Sequence, residues 1–393
     1  MLAKTRQSKY LPELDGIRGV AILGVLCSHG VGVTGIFENT NTSVPANIFE
    51  HLMVPLWGGV DLFFALSGFL ITGILLRTKG NQNYFSSFYA RRALRIFPIY
   101  YLVLLLCLCV AHFSAHFASQ LPPGAEWKFA YFIYLQNWPL FWHGHEMLEG
   151  FWGAYWSLAI EEQFYFIWPL VVLLLSETAI SVICLVGFLC ALPLRLFLSI
   201  HYFGGSFGLA QITSSRVDGL LLGAACAVYM FKHKRPVPMQ WIVVSGSIGA
   251  IIVAWIALFH TSELVDTGSG RWILTLGITG FALLSGTVVA ISQHHIPFIQ
   301  RILTLRWLRL AGKYSYGIYV YHLLIFLPVR RFFWLHPSLA ANLNLPERIL
   351  AMLLLFAVVY FVAKFSYDLF ETRFLRLKDR FKPRARISTA TSV

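Results

Sequence analysis

The sequence predicts an all-α protein, a polytopic membrane helix bundle of about ten transmembrane helices plus a re-entrant or interfacial segment. Three observations predict it. Apolar residues make up 57% of the 393 positions and charged residues 12%, roughly half the charged share of soluble domains. Apolar runs close to the roughly 20 residues that cross a bilayer recur from one end to the other. Lysine and arginine also alternate between successive connecting segments, as a membrane topology requires.

The spans read in order as 15–34, 54–76, 97–118, 155–175, 179–200, 217–231, 241–260, 272–291, 314–334 and 348–370. The first follows MLAKTRQSKYLPELDG, a basic segment without a cleavable signal pattern, because the apolar run after it is long and retains polar residues. Between the third and fourth spans, Phe129–Trp142 is too short and too broken by Asn137 and Pro139 to cross, which suits a re-entrant or interfacial piece. With the N-terminus inside, segments 1–18, 77–95, 232–240, 293–313 and 371–393 lie inside and hold 23 of the 31 Lys and Arg residues. The outside keeps Lys128, Arg216, Arg271, Arg330, Arg331 and Arg348, while Arg195 and Lys364 fall within spans. A crossing at 129–142 would invert every later loop and erase this bias. Both termini are therefore expected in the cytoplasm.

The net charge of +13 follows this topology and does not indicate nucleic acid. The C-terminal RFLRLKDRFKPRAR reads as a basic cytoplasmic tail near anionic lipid, giving a membrane domain over 1–372 and a tail over 373–393. All six cysteines sit in apolar runs and read as small buried hydrophobes. His143 and His145 flank a glycine without a matching ligand set, so no metal is expected. No internal repeat is visible, which weighs against an inverted-repeat transporter.

Ionisable groups in a membrane helix cost on the order of a few kcal/mol each, so they are functional candidates. Arg18 and His29 are eleven residues apart, within roughly 20° of one helix face and about 16 Å along the axis. An anchor arginine and a hydrogen-bonded core histidine would give the same pattern. Arg91, Arg92 and Arg95 line the inner end of another helix, with Pro98 expected in its first turns. Three guanidinium forks exceed the need of an anchor and suit phosphate. In WGGVDLFFALSGFLIT, small-residue packing explains the glycines and accommodates Ser67, but Asp61 needs a cationic partner. Glu161 and Glu162 point about 100° apart, so only one is expected to face the interior. Arg216 and Asp218 read either as a self-compensating pair or as substrate contacts. Tyr316 and His322 read as bundle polar groups or site residues.

Taken together, LDGIRGVAILGVLCSH with its Arg-x10-His spacing, GVDLFFALSGFLIT, FYARRALRIFPIYY, WSLAIEEQFYFIWPL, SRVDGLLLGA and YSYGIYVYH resemble the integral-membrane acyltransferase-3 family, in family order across nearly the whole chain. The resemblance implies an O-acyltransferase of the bacterial inner membrane. It would take an acyl-CoA donor, normally acetyl-CoA, from the cytoplasm and acylate a hydroxyl of a carbohydrate or glycolipid. No permanently bound cofactor is implied. Some members carry an extra hydrolase-like domain after the membrane part; the chain is expected to be the stand-alone membrane domain.

The family's catalytic histidine maps to His29 with Arg18 as partner, its arginine cluster to Arg91, Arg92 and Arg95, and its WSL-x-x-E glutamate to Glu161. On this reading the arginines hold the donor phosphates. His29 acts as general base or acyl carrier, with direct transfer preferred, and Glu161 orients His29 or binds sugar hydroxyls. Asp61, Ser67, Trp156, Arg216, Asp218, Tyr316 and His322 are the candidate substrate contacts. The alternatives are a transporter or flippase of a glycan or lipid-linked intermediate, and a non-catalytic receptor or assembly subunit.

Overall fold

A computed structural model of the chain describes residues 11–37, 44–113, 125–138, 153–203, 207–260 and 270–384. Its first helix, α1 (Pro12–Gly32), starts where Pro12 cannot donate and need not, and carries Glu13 and Asp15 in the first turn. The short α2 (Val44–Met53) turns through Val54–Gly58 into α3 (Gly59–Thr78). There follow α4 (Tyr84–Phe113), α5 (Ala125–Phe132), α6 (Trp156–Leu174), α7 (Glu177–Leu198), α8 (Thr213–His233) and α9 (Met239–Phe259). A π-helical turn at Ile273–Gly277 leads into α10 (Ile278–Ile291). Next come α11 (Pro297–Leu303), α12 (Arg306–Leu335), α13 (Pro337–Asn342) and α14 (Leu345–Ser366). Asn344 and Glu347 form a reciprocal capping box at the start of α14. The chain closes with a π turn at Tyr367–Glu371, α15 (Thr372–Leu377) and a 3-10 turn at Lys378–Phe381.

Among the described residues, nine helical stretches are long and apolar enough to cross a membrane. They coincide in order with nine of the ten predicted spans, and the chain is an integral membrane protein. The remaining one is α8, which is 21 residues long but carries Arg216, Asp218 and Lys232. It is packed against α3, α7 and α10, so Arg216 and Asp218 meet protein and not lipid, while Lys232 is exposed near its end. The outer surface of the bundle is hydrocarbon-like: Phe166, Leu174, Leu258, Phe259 and Phe361 are all exposed, as a lipid solvent allows.

Several expectations are corrected. Helix α4 begins at Tyr84, so Pro98 lies in its interior and not in its first turns; the missing N–H falls where Leu94 would otherwise be bonded. Segment 125–138 holds one eight-residue helix, too short to cross; residues 139–142, like His143, His145 and 385–393, lie outside the described residues. The segment read as a tail is docked up to Arg384 onto the start of α4. Arg91 Nη1 donates to the Lys378 carbonyl at 3.0 Å and Asn83 Nδ2 to that of Lys382 at 3.0 Å. Cys109 and Cys190 are exposed on the outside of the bundle and not buried.

Three helix pairs are set by glycine. A Cβ on Gly223 would stand 1.8 Å from the Ala65 carbonyl oxygen, and one on Gly68 1.9 Å from that of Leu220, so α3 and α8 touch backbone to backbone. Gly16 and Gly312 do the same for α1 against Leu303 and for α12 against Asp15. Because no flexible side chain can yield, Gly223→Val is expected to cost at least about 1–3 kcal/mol. Thermal unfolding in detergent checks this; an unchanged midpoint would mean that the backbones separate freely.

Candidate active site

At the end of the bundle where α1, α4 and α12 begin, side chains from α1, α3, α4, α6 and α12 enclose a cavity. It is lined by Arg18, Ser67, Arg92, Arg95, Glu161, Glu162, Tyr165, Tyr316 and Tyr319, among others. Arg18 Nη1 is paired with Asp15 at 3.1 Å. Neither Arg92 nor Arg95 makes an ion pair among the described residues, and the Arg92 guanidinium lies 4.9 Å over the Tyr165 ring. The three arginines and Lys378 lie within electrostatic range of one another. Glu161, Glu162 and Glu371 lie within the same range and offset part of this charge, and an anionic ligand or water can offset the rest. Arg91 is turned away, held on the Lys378 carbonyl.

The cavity's inner wall is a hydrogen-bonded string. Tyr165 donates to Ser67 Oγ at 2.9 Å, and Ser67 donates to Glu161 Oε1 at 2.7 Å. Tyr165 also stands 3.1 Å from Glu161 Oε2. Glu162 lines the cavity as well, so both carboxylates face it. A second, more apolar groove between α4, α6 and α8, lined by Phe97, Ile133 and Phe164, shares Arg92, Glu162 and Tyr165 with the first. Tyr316 donates to the Ile96 carbonyl at 2.9 Å, tying α12 to α4.

Farther along, two buried ion pairs cross between helices. Arg216 of α8 bonds Asp61 of α3 at 3.1 Å, and Arg195 of α7 bonds Asp218 of α8 at 2.9 Å. All four side chains are at most 1% exposed. Arg195 also donates to Thr279 Oγ1 at 2.5 Å and to the Ser215 carbonyl. Trp57, Phe64 and Trp156 surround the Arg216 guanidinium at 5.4–5.5 Å. The self-compensating Arg216–Asp218 pair is not formed, because residues two apart point to opposite sides of a helix. Each turns instead to a different neighbour.

His29 stands against His322 of α12. Its Nδ1 is 2.8 Å from His322 Nε2 and the rings are stacked with centroids 5.0 Å apart. His322 Nδ1 is 2.6 Å from the Tyr319 carbonyl oxygen. Neither ring is hydrogen-bonded to a carboxylate among the described residues; Glu161 bonds Ser67 and Tyr165, so it does not orient His29. Tyr319 joins the two regions. Its ring lines the cavity and lies 5.4 Å from His322, while its hydroxyl is fixed by Ser157 at 2.5 Å and the Ala154 carbonyl at 2.8 Å.

The sequence candidates thus fall into three groups. Arg18, Arg92, Arg95, Ser67, Glu161 and Tyr316 share the cavity, Asp61, Trp156, Arg216 and Asp218 belong to the ion-pair cluster, and His29 and His322 form a pair. Tyr165, Tyr319, Arg195 and Lys378 were not anticipated. Arg195 had a readable signal, an arginine within a span. The tyrosines had none, because they are indistinguishable from packing aromatics.

The chain matches the family described as "Acyltransferase domain", the acyltransferase-3 family, over residues 11–364. It belongs to that family. It is 30% identical over 344 residues to the peptidoglycan O-acetyltransferase OatA of Listeria monocytogenes, covering 82% of this chain and 50% of that one. It is 27% identical to the putative peptidoglycan O-acetyltransferase YrhL of Bacillus subtilis, with 82% and 49% covered. The O-acetyltransferase OatA of Staphylococcus aureus is 26% identical, with 82% and 51% covered. The chain spans about half the length of these curated relatives. No solved structure matches it.

Proposed function

We propose that this chain moves an acetyl or other short acyl group from cytoplasmic acyl-CoA to a hydroxyl of a carbohydrate or glycoconjugate, in the bacterial inner membrane. One observation carries the reading. Arg18, Arg92 and Arg95 converge on a cavity whose lining includes Tyr319, the ring neighbour of His322 in the histidine pair. Arg92 and Arg95, which make no ion pair among the described residues, suit the anionic phosphates of coenzyme A, with Arg18 beside them on Asp15. The names of the relatives support a carbohydrate acceptor, and the distribution of Lys and Arg supports cytoplasmic termini and a cytoplasmic donor.

His29 would accept the proton of the acceptor hydroxyl as its oxygen bonds the acyl carbon and the thiolate of coenzyme A leaves. The acyl group must pass Tyr319 to meet His29. Glu161, Ser67 and Tyr165 would align the thioester arm or the acceptor's hydroxyls.

The test is purified protein in liposomes with labelled acetyl-CoA and candidate glycans. Release of free coenzyme A matched by esterified acceptor is expected; glycan flux without thioester consumption would overturn the reading in favour of transport. Within that assay, Arg92→Ala and Arg95→Ala are each expected to weaken acetyl-CoA binding by about tenfold or more. Arg91→Ala should change it little, because Arg91 is held on the Lys378 carbonyl. An equal loss in all three would return the cluster to general membrane-surface electrostatics.

A further inference from the structure

We propose that His322 is a positioning residue that fixes the proton arrangement of His29, leaving Nε2 of His29 as the reacting nitrogen. The inference deepens the proposed function and rests on His29 acting at the acyl group. It follows from the order of contacts. A carbonyl oxygen can only accept, so the 2.6 Å contact to the Tyr319 carbonyl places a proton on Nδ1 of His322. A neutral His322 then presents a lone pair on Nε2. The atom facing it at 2.8 Å, His29 Nδ1, must be the donor. With its Nδ1 protonated, neutral His29 keeps a lone pair on Nε2, which has no hydrogen-bond partner among the described residues.

The opposite arrangement, with His322 donating from both nitrogens, would make it a cation. His322 is 0% exposed, and no carboxylate bonds either ring among the described residues, so that charge would be uncompensated inside the bundle. The neutral chain of donors is favoured. One carbonyl at the end of α12's fourth turn thereby sets the state of a ring on α1.

The device also serves the reaction. When Nε2 of His29 takes the acceptor's proton, both His29 nitrogens carry hydrogen and the ring becomes cationic. The His322 lone pair then receives a charge-assisted hydrogen bond from Nδ1, which strengthens as the charge develops. The proton on Nε2 passes on to the departing thiolate of coenzyme A. The sum is alcohol plus thioester giving ester plus thiol, with His29 returned to its starting state. The role resembles that of a triad carboxylate, filled here by a neutral imidazole, which costs less to bury than an unpaired anion.

Two substitutions separate positioning from packing. His322→Gln places an amide oxygen where Nε2 stood and can still accept from His29. His322→Phe preserves ring shape and removes the acceptor. Glutamine is expected to retain kcat within about tenfold, whereas phenylalanine loses at least about a hundredfold in kcat with KM for acetyl-CoA unchanged. A packing role predicts the reverse order, and that result overturns the proposal. Should either variant fail to fold, nitrogen-15 spectra of histidine-labelled wild-type protein in bilayers decide. The His29 signals, assigned by their loss in His29→Gln, should show hydrogen on Nδ1 and a bare Nε2; hydrogen on Nε2 overturns it. The His29 and His322 variants also keep the two readings apart. Activity surviving in His29→Gln sinks the assignment of His29 itself, whereas an inactive His29→Gln beside a fully active His322→Phe sinks the positioning role alone.

Discussion

Replacing His29 by alanine is expected to lower acyl transfer by about two to four orders of magnitude, the usual contribution of a positioned acid–base group. Acetyl-CoA affinity should be unchanged. The two effects separate because His29 does not line the cavity that holds Arg18, Arg92 and Arg95; its contact is His322, at 2.8 Å. Folding is expected to survive, since α1 is held by close backbone approach to α12 at Gly19 and Gly312 and not by this ring. Single-turnover transfer alongside equilibrium binding of the donor measures both quantities. Full transfer in the variant would remove His29 from the chemistry, and a joint loss of binding and transfer would place the donor against the histidine pair itself.

The second large effect is on stability. Asp61→Ala should strip Arg216 of its one ion-pair partner among the described residues, at 3.1 Å and with no exposure on the guanidinium side. Three aromatic rings accept the cation weakly and offer no full charge. A loss of roughly 3–5 kcal/mol is expected, the cost of an uncompensated buried charge. Removing both charges in Asp61→Leu with Arg216→Met should recover most of it, because neither residue then demands a partner. Thermal unfolding of the four proteins of that cycle in one detergent gives the coupling. Additive losses would mean that Asp61 and Arg216 are solvated independently.

How much of this was legible in the sequence differs by residue. Membrane spans were readable because lipid imposes length and apolarity directly, and α8 was readable despite Asp218 because the rest of 217–231 is small or apolar. The need of Asp61 for a cation was also readable, since a carboxylate in a span demands one. Which cation was not: Arg216 and Arg195 lie 155 and 23 residues beyond Asp61 and before Asp218, and only packing of α3, α7 and α8 decides the exchange of partners. The same limit applies to His29 and His322, 293 residues apart. Periodicity placed Arg18 and His29 on one helix, but not the tyrosine between the cavity and the imidazoles. Arg91 is the clearest case of a local pattern misdirected. It shares a helix with Arg92 and Arg95, yet a backbone carbonyl from the chain's last described turn claims it.

Arg92, Glu162 and Tyr165 face the polar cavity on one side and the apolar groove on the other. Those three side chains are common to both walls. A substitution at any one of them alters the polar space and the apolar one together, so neither can be reshaped alone at that boundary.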